Sequence, residues 1–598
     1  MTDYLSEVDY PADLRKMPVE DLPELCEQIR DVLIRKVSAT GGHMGPNLGV
    51  VEATVALHYV FDTPKDDLIW DVSHQSYTHK ILTGRKRAFL DPAHYHDVSG
   101  YTHPSESPYD LFTVGHTGTS ISMAVGMAKA RDLKHEKHNV IAFIGDGSLG
   151  EGEALEGLDN AGEMDTNLII VVNDNGWAIE ENHGGMYRNL KELRETNGQA
   201  ESNIFRDFGL DYRFVGDGND VEELVRAFRE VRNIDHPVVV HIVTDKGRGL
   251  EWAERDKEAG HWCVPDKVYD ERKANPPEFD RDYAQILPAF LLDKVQADPT
   301  VVVMTPATAG DQLPPAFRKA AGAQYVDVGI AEQHAVAACS GLGKAGCKPV
   351  LEVNNTFLQR AYDQLQQDLA VNGNPTTILD FGIAPGINRN DNTHSGVAGI
   401  AMVNTIPGLT CLAPATCEEL LAMMDWSIDR AARPVVITMP MRGVVHEADL
   451  PFTPVDPVTA GAQFTDADLS FRTMVRGSGV AVLALGDMLP HGAELVKALK
   501  DELGVEATLV SPRLYSSLDT RALDALAATH DVFVTLEDGE RTGGFGETVA
   551  DHFGGTATRV LVRGADKELP DLVPTKELFE RYRLTIPQLV ADVKAQLG

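Results

Sequence analysis

The sequence predicts an α/β protein of three consecutive domains, each built on a mostly parallel sheet. Three observations carry this. Short apolar, β-branched runs alternate with helical stretches from end to end, the rhythm of strand–helix–strand units. Two polar, Pro-rich stretches, 266–282 with Pro276-Pro277 and roughly 449–468, interrupt that rhythm, and it restarts after each. At 598 residues the chain is also too long for a single core. The expected domain limits are 1–283, 284–455 and 456–598.

The strands follow in order. Val140-Ile141-Ala142-Phe143-Ile144, Leu168-Ile169-Ile170-Val171-Val172 and Pro237–Val243 serve the first domain. They are apolar throughout rather than alternating, as strands covered on both faces are. The second domain draws on Thr300–Met304, Lys348–Val353, Thr376–Asp380 and Pro434–Thr438. The third draws on Val480–Leu485, Ala507–Val510, Val532–Leu536 and Arg559–Val562. The stretch 184–203 is polar without periodicity and is expected to form a mobile loop.

Composition narrows the partners. With 54 basic against 90 acidic residues the formal charge is −36, and so negative a surface repels nucleic acid and anionic lipid. Any anion must be held by a local cluster of cations and backbone N–H groups working against that field. Six scattered cysteines without a CxxC pair read as reduced thiols. No apolar run reaches the ~20 residues of a membrane span, and the N-terminus has no basic and apolar leader segments, so the expected location is cytoplasmic.

Two polar clusters sit where the first two strands end. Gly145-Asp146-Gly147-Ser148 follows one, and Asn173-Asp174-Asn175 follows the other. Open α/β sheets bind ligands at strand C-termini. Asp146 and Asn175 can offer hard oxygens to one Mg²⁺, which usually completes its shell with phosphates, and the glycines let a diphosphate approach the backbone. A nucleotide-binding reading is weak, because the turn lacks both the P-loop lysine and the GxGxxG spacing.

Several further segments occur in a familiar order: Leu68-Ile69-Trp70-Asp71-Val72-Ser73-His74-Gln75, His79-Lys80-Ile81-Leu82-Thr83-Gly84-Arg85, Lys246-Gly247-Arg248-Gly249, Asp327-Val328-Gly329-Ile330-Ala331-Glu332-Gln333-His334, and Thr356-Phe357-Leu358-Gln359-Arg360. With them, nearly the whole chain resembles the 1-deoxy-D-xylulose-5-phosphate synthase family of transketolase-like thiamine diphosphate enzymes. The resemblance implies a transketolase-like fold with a diphosphate-binding, a pyrimidine-binding and a C-terminal domain, in a homodimer. It implies thiamine diphosphate and Mg²⁺ as cofactors, and pyruvate and an aldehyde, by default D-glyceraldehyde 3-phosphate, as substrates. The product would be 1-deoxy-D-xylulose 5-phosphate, a precursor of isoprenoids and thiamine.

By the same resemblance, Glu332 meets the aminopyrimidine and promotes cofactor activation, and Phe357 packs on that ring. Asp146, Asn175 and the Trp177 carbonyl hold the metal. His74, the segment Gly115-His116-Thr117, Gly147 and Ser148 lie against the cofactor. His43, His261 and His394 face the reacting carbonyls, and Arg442 and Arg513 grip the acceptor phosphate, with Arg360 and Asn354 nearby. Arginine suits phosphate because its planar fork can donate twice. His79 reads instead as packing or surface.

Departures from the family pattern gather at the acceptor end. Asn354 replaces a tyrosine, Asn390 stands where the family has an acid four residues before the histidine, Arg389 adds a cation, and Met441 is inserted before Arg442. The segment Met44–Gly49 is as close to transketolase as to the synthase, and the loop after Asn182 is short. Two alternatives therefore stand beside the default: a transketolase-like or carboligase reaction with another donor or aldehyde, and a non-catalytic thiamine diphosphate-binding paralogue with a regulatory role.

Overall fold

A computed structural model describes residues 2–308, 312–382 and 392–597. It contains three sheets in two compact units. One unit comprises the residues up to Pro276 together with Gly329–Ala331; the other comprises Pro277–Val328 and the chain from Glu332 onward.

The first unit holds β1 (Asp67–Trp70), β2 (Val140–Gly145), β3 (Leu168–Asp174), β4 (Asp211–Val215) and β5 (Pro237–Val243). They form an all-parallel sheet in the order β1-β2-β3-β5-β4. Every residue of β3 is buried, because helices cover both faces. This order puts the C-terminal ends of β1, β2, β3 and β5 side by side along one edge.

The second unit carries two sheets. β6 (Val301–Thr305), β7 (Tyr325–Asp327), β8 (Lys348–Asn354), β9 (Thr376–Phe381), β10 (Thr410–Leu412) and β11 (Pro434–Thr438) are all parallel, in the order β10-β11-β9-β8-β6-β7. β12 (Arg472–Val475), β13 (Gly479–Ala484), β14 (Thr508–Ser511), β15 (His530–Glu540) and β16 (Arg559–Ala565) follow in the order β12-β14-β13-β15-β16, with only the β12–β14 pair antiparallel. One apolar cluster, including Leu351, Ile378, Val436, Leu483, Tyr515 and Phe533, joins these two sheets.

Two expectations are corrected. Within 184–203 the chain forms the helix Gly185–Glu195, whose buried Leu190 and Leu193 dock on the first unit's core. Three apolar positions at Met186, Leu190 and Leu193 suffice for one turn-spaced stripe, too sparse to stand out among charges. Within 266–282, Asp266–Ala274 is also helical, although it buries nothing.

His79 lies in a largely buried polar chain. His58 Nε2 meets His79 Nδ1 at 2.9 Å, His79 Nε2 meets Asp110 at 2.9 Å, and Arg85 donates to both Asp110 oxygens at 2.7 and 2.8 Å. Burial would raise the Asp110 carboxyl, but the hydrogen bonds from His79 and Arg85 override it and hold it well below the usual range. Burial pushes His79 itself down, so Arg85 supplies the balancing charge. A carboxyl depressed in the folded state contributes stability that is present above its unfolded value, about pH 4, and is lost as pH falls. Asp110→Asn is expected to cost about 3–5 kcal/mol at neutral pH. Melting curves across pH check this, and the difference between the two proteins should shrink below pH ~4.

Candidate active site

In the first unit, each strand of the shared edge delivers one candidate side chain. After β1, Val72 and Ser73 take left-handed backbone angles and turn the chain into His74. Buried Asp71 accepts from the N–H groups of Gly118 at 2.9 Å and Ser120 at 3.0 Å, which pins the loop carrying Gly115, His116 and Thr117. Gly118 has φ +85°, and a Cβ there would meet Glu151 Oε2 at 2.6 Å, so only glycine fits.

After β2, Asp146 opens the short helix Asp146–Leu149, which also carries Gly147 and Ser148. Its carboxylate accepts from Gly147 N–H at 2.9 Å, Asn175 N–H at 3.1 Å and Gly176 N–H at 2.6 Å. The loops after β2 and β3 are thereby locked together, and Asp146 and Asn175 come into one site. Asn175 Oδ1 accepts from Trp177 N–H at 3.1 Å. A Cβ on Gly147 would meet Ala178 Cβ at 2.8 Å.

Burial, then the neighbouring Asp174 carboxylate, pushes Asp146 well above the usual range. Asp174 is held below that range, because His241 and Arg194 outweigh its burial. Asp174 thus has two basic partners in direct contact, while Asp146 is held by backbone N–H groups and the Asp174 carboxyl, with the Lys246 ammonium acting on it without an ion-pair contact. That imbalance suits a bound cation. Among the described residues no three His, Cys, Asp or Glu side chains converge on a metal-sized point, so further oxygens must complete any shell.

Three of the predicted histidines gather in the same unit. The His43 ring lies 4.8 Å from His74 and 5.5 Å from His261, and the latter two are 5.5 Å apart. Trp262 at 4.7 Å and Tyr101 at 5.9 Å complete the cluster around His43. Asn47 ties it together, its amide donating to the carbonyls of both His43 and His74 at 2.8 Å. A two-way backbone bridge between Gly42 and Cys263 brings the His261 segment to His43.

In the second unit, Glu332 starts the helix Glu332–Lys344 and is only 3% exposed. Phe357 lies on the short helix Asn355–Leu358 after β8, with the His394 ring edge-on at 5.6 Å. Asn354 caps that helix, accepting from Thr356 N–H at 3.2 Å, a local job that a short amide does well. Arg360 lies one turn on, in Gln359–Ala361. Arg389, Asn390 and Asp391 lie outside the described residues.

The two arginines assigned to phosphate have different partners. Arg442 Nε donates to Asp538 at 3.0 Å, and its guanidinium lies 5.0 Å from the centre of the Phe579 ring. Arg513 is buried, donates to the Ser470 carbonyl at 3.0 and 2.9 Å, and lies 3.8 Å from buried Glu419.

Comparison with known proteins places these features. A family model described as 1-deoxy-D-xylulose-5-phosphate synthase matches residues 5–202 and 196–244. The transketolase pyrimidine-binding domain matches 281–444, and the transketolase C-terminal domain matches 471–588. The 1-deoxy-D-xylulose-5-phosphate synthase of Carboxydothermus hydrogenoformans is 33% identical over 98% of both chains. That of Thioalkalivibrio sulfidiphilus is 35% identical over 99% of this chain and 95% of its own. The chain belongs to the 1-deoxy-D-xylulose-5-phosphate synthase family. Its members are thiamine diphosphate-dependent, transketolase-type transferases, and so is this enzyme.

One side chain of this synthase-family site escaped sequence reasoning. Lys246, three residues past β5, is buried and its ammonium reaches both the Ala178 carbonyl and His261 Nδ1, the latter at 3.1 Å. Burial pushes it down to about 7. A lysine in Lys-Gly-Arg-Gly reads as an exposed turn cation; only the fold shows that it faces inward. By donating to Nδ1 it leaves the His261 proton on Nε2. Lys246→Met should slow turnover yet raise the melting temperature of the cofactor-free protein, because it removes a costly buried charge. Steady-state kinetics paired with calorimetry reads both signs.

Proposed function

We propose that this enzyme decarboxylates pyruvate and joins the two-carbon unit to D-glyceraldehyde 3-phosphate, giving 1-deoxy-D-xylulose 5-phosphate for isoprenoid and thiamine synthesis. The observation that carries the reading is the coexistence of the buried Glu332, the locked Asp146–Asn175 pair and the His43–His74–His261 cluster in one family member. The residues fit the cofactor: among the described residues no basic side chain is in salt-bridge contact with Asp146, and the Gly147 cradle has no room for a side chain.

Asp146, Asn175 and the Trp177 carbonyl would hold Mg²⁺, with His74, Gly115, His116, Thr117, Gly147 and Ser148 against the diphosphate and Phe357 against the pyrimidine. When bound, thiamine diphosphate supplies the nucleophilic carbon and electron sink for breaking and making bonds beside a carbonyl. Glu332 holds a proton at the aminopyrimidine nitrogen. His43, His261 and His394 orient the carbonyl oxygens and move protons to and from them, His261 with its tautomer set by Lys246. Arg442, with its two terminal nitrogens beyond the Asp538 bond, takes the acceptor phosphate; Arg513 and Arg360 support the same end. The enzyme would act as a homodimer in the cytoplasm.

¹³C-labelled pyruvate supplied with glyceraldehyde 3-phosphate to the Mg²⁺–thiamine diphosphate-loaded protein should yield labelled CO₂ and the labelled ketose phosphate. Absence of CO₂ with every aldehyde tried overturns the reading. A second reading, with an acceptor that lacks phosphate, is favoured by the Asp538 carboxylate on Arg442.

A further inference from the structure

The end of β11, the loop after β13 and the end of β15 line a small cavity with Thr438, Met439, Pro440, Leu485, Asp487 and Asp538 among its residues. Two acidic residues therefore line one space, and one of them is bonded to Arg442. Asp538 is 4% exposed; its Oδ2 accepts a hydrogen bond from Arg442 Nε, and its Oδ1 is shut off from solvent with no hydrogen-bond partner among the described residues. Asp487 accepts from the N–H of Met441 at 2.6 Å, so it grips the residue inserted ahead of the arginine. Burial pushes the nearby His491 ring below the usual range, which disfavours its charged form.

Burial pushes Asp487 up to about 6 and Asp538 up to about 7, and when both are ionised one guanidinium faces two negative charges. A phosphate dianion docking on Arg442 meets those charges where water screens them poorly. It must share the cation with Asp538, displace it, or drive the pair to take up a proton. An uncharged aldehyde incurs none of these costs.

We propose that Asp487 and Asp538 set acceptor selectivity by competing with an acceptor phosphate for Arg442. The idea rests on the reading that Arg442 faces the acceptor. It differs from a purely supporting role, in which Asp538 aims the guanidinium and its loss weakens phosphate binding.

The test uses protein loaded with Mg²⁺ and thiamine diphosphate, and inorganic phosphate as the probe in titration calorimetry. Asp538→Asn should bind phosphate about tenfold more tightly than the parent. Asp487→Asn, which keeps an oxygen for the Met441 N–H, should shift it the same way by a smaller factor. In an Arg442→Met background neither change should matter. The KM ratio of glyceraldehyde 3-phosphate to glyceraldehyde should fall in parallel. Weaker or unchanged phosphate binding in both asparagine variants overturns the proposal, as does an equal shift without Arg442. If pyruvate is not turned over at all, the proposed function fails, while the phosphate titration still decides the competition.

Discussion

Glu332→Ala is expected to lower kcat by about 10²–10⁴-fold, the range for loss of a positioned proton-transfer group. The side chain sits in the first turn of Glu332–Lys344 and is nearly sealed from solvent. A carboxylate there has an alternative, structural use, because the free N–H groups and dipole of a helix start favour a negative charge. The two uses separate cleanly. Loss of a helix-start charge costs about 0.3–1 kcal/mol of stability and leaves chemistry alone. Loss of the proton-holding group slows hydrogen–deuterium exchange at the cofactor's reactive carbon by the same factor as turnover, with little change in melting temperature. Glu332→Gln, similar in size but unable to exchange the proton, should behave like alanine in the exchange experiment. A normal exchange rate in either variant sinks the assignment.

Asp146→Ala is expected to weaken Mg²⁺-dependent cofactor binding by more than about 100-fold, beyond what loss of a group merely supporting a metal ligand costs. An amide at the same place should act in the opposite direction on the empty protein. Asp146 is buried beside the Asp174 carboxylate, and its hydrogen bonds come from Gly147, Asn175 and Gly176 backbone. Asp146→Asn removes the repulsion and keeps an oxygen for the Asn175 and Gly176 N–H groups, giving up the Gly147 N–H bond that the second carboxylate oxygen accepts. It should raise the melting temperature of the empty protein by about 2–4 °C, the shift that ~1 kcal/mol produces in a domain of this size. Calorimetry with and without Mg²⁺ and thiamine diphosphate measures both arms. A variant that loses stability without cofactor would mean that Asp146 serves mainly to close the Asn175 loop.

The central strands were legible in the sequence because burial on both faces forces unbroken apolar runs, as in Val140–Ile144 and Leu168–Val172. The strands that escaped it are β1, β4, β7, β10 and β12, and each lies at the edge of its sheet. An edge strand has one neighbour and can be short and mixed in character, as Tyr325–Asp327 and Arg472–Val475 are. The helix Gly185–Glu195 escaped for a related reason: Arg194 fastens it to Asp174 through charge rather than through a wide apolar face.

The candidate site divides similarly. Asp146, Asn175 and Glu332 stand in motifs whose chemistry reads along the chain. Asp71, Lys246, Asp487 and Asp538 gain their roles only from what the fold sets beside them. Asp380 is another such residue. It is fully buried at the end of β9, bonded to Asn355 at 2.9 Å, and burial pushes it up to about 8.

Lys246 has one more consequence. Burial favours the uncharged form of this amine, and an uncharged primary amine condenses with carbonyl compounds. This enzyme family's named product is a ketose, so its members keep a potential imine-forming group among carbonyl compounds. The Ala178 carbonyl and His261 ring occupy that nitrogen from two sides. Both acceptors favour the protonated, unreactive ammonium, so a variant that loosens them should shift the amine toward its reactive uncharged form.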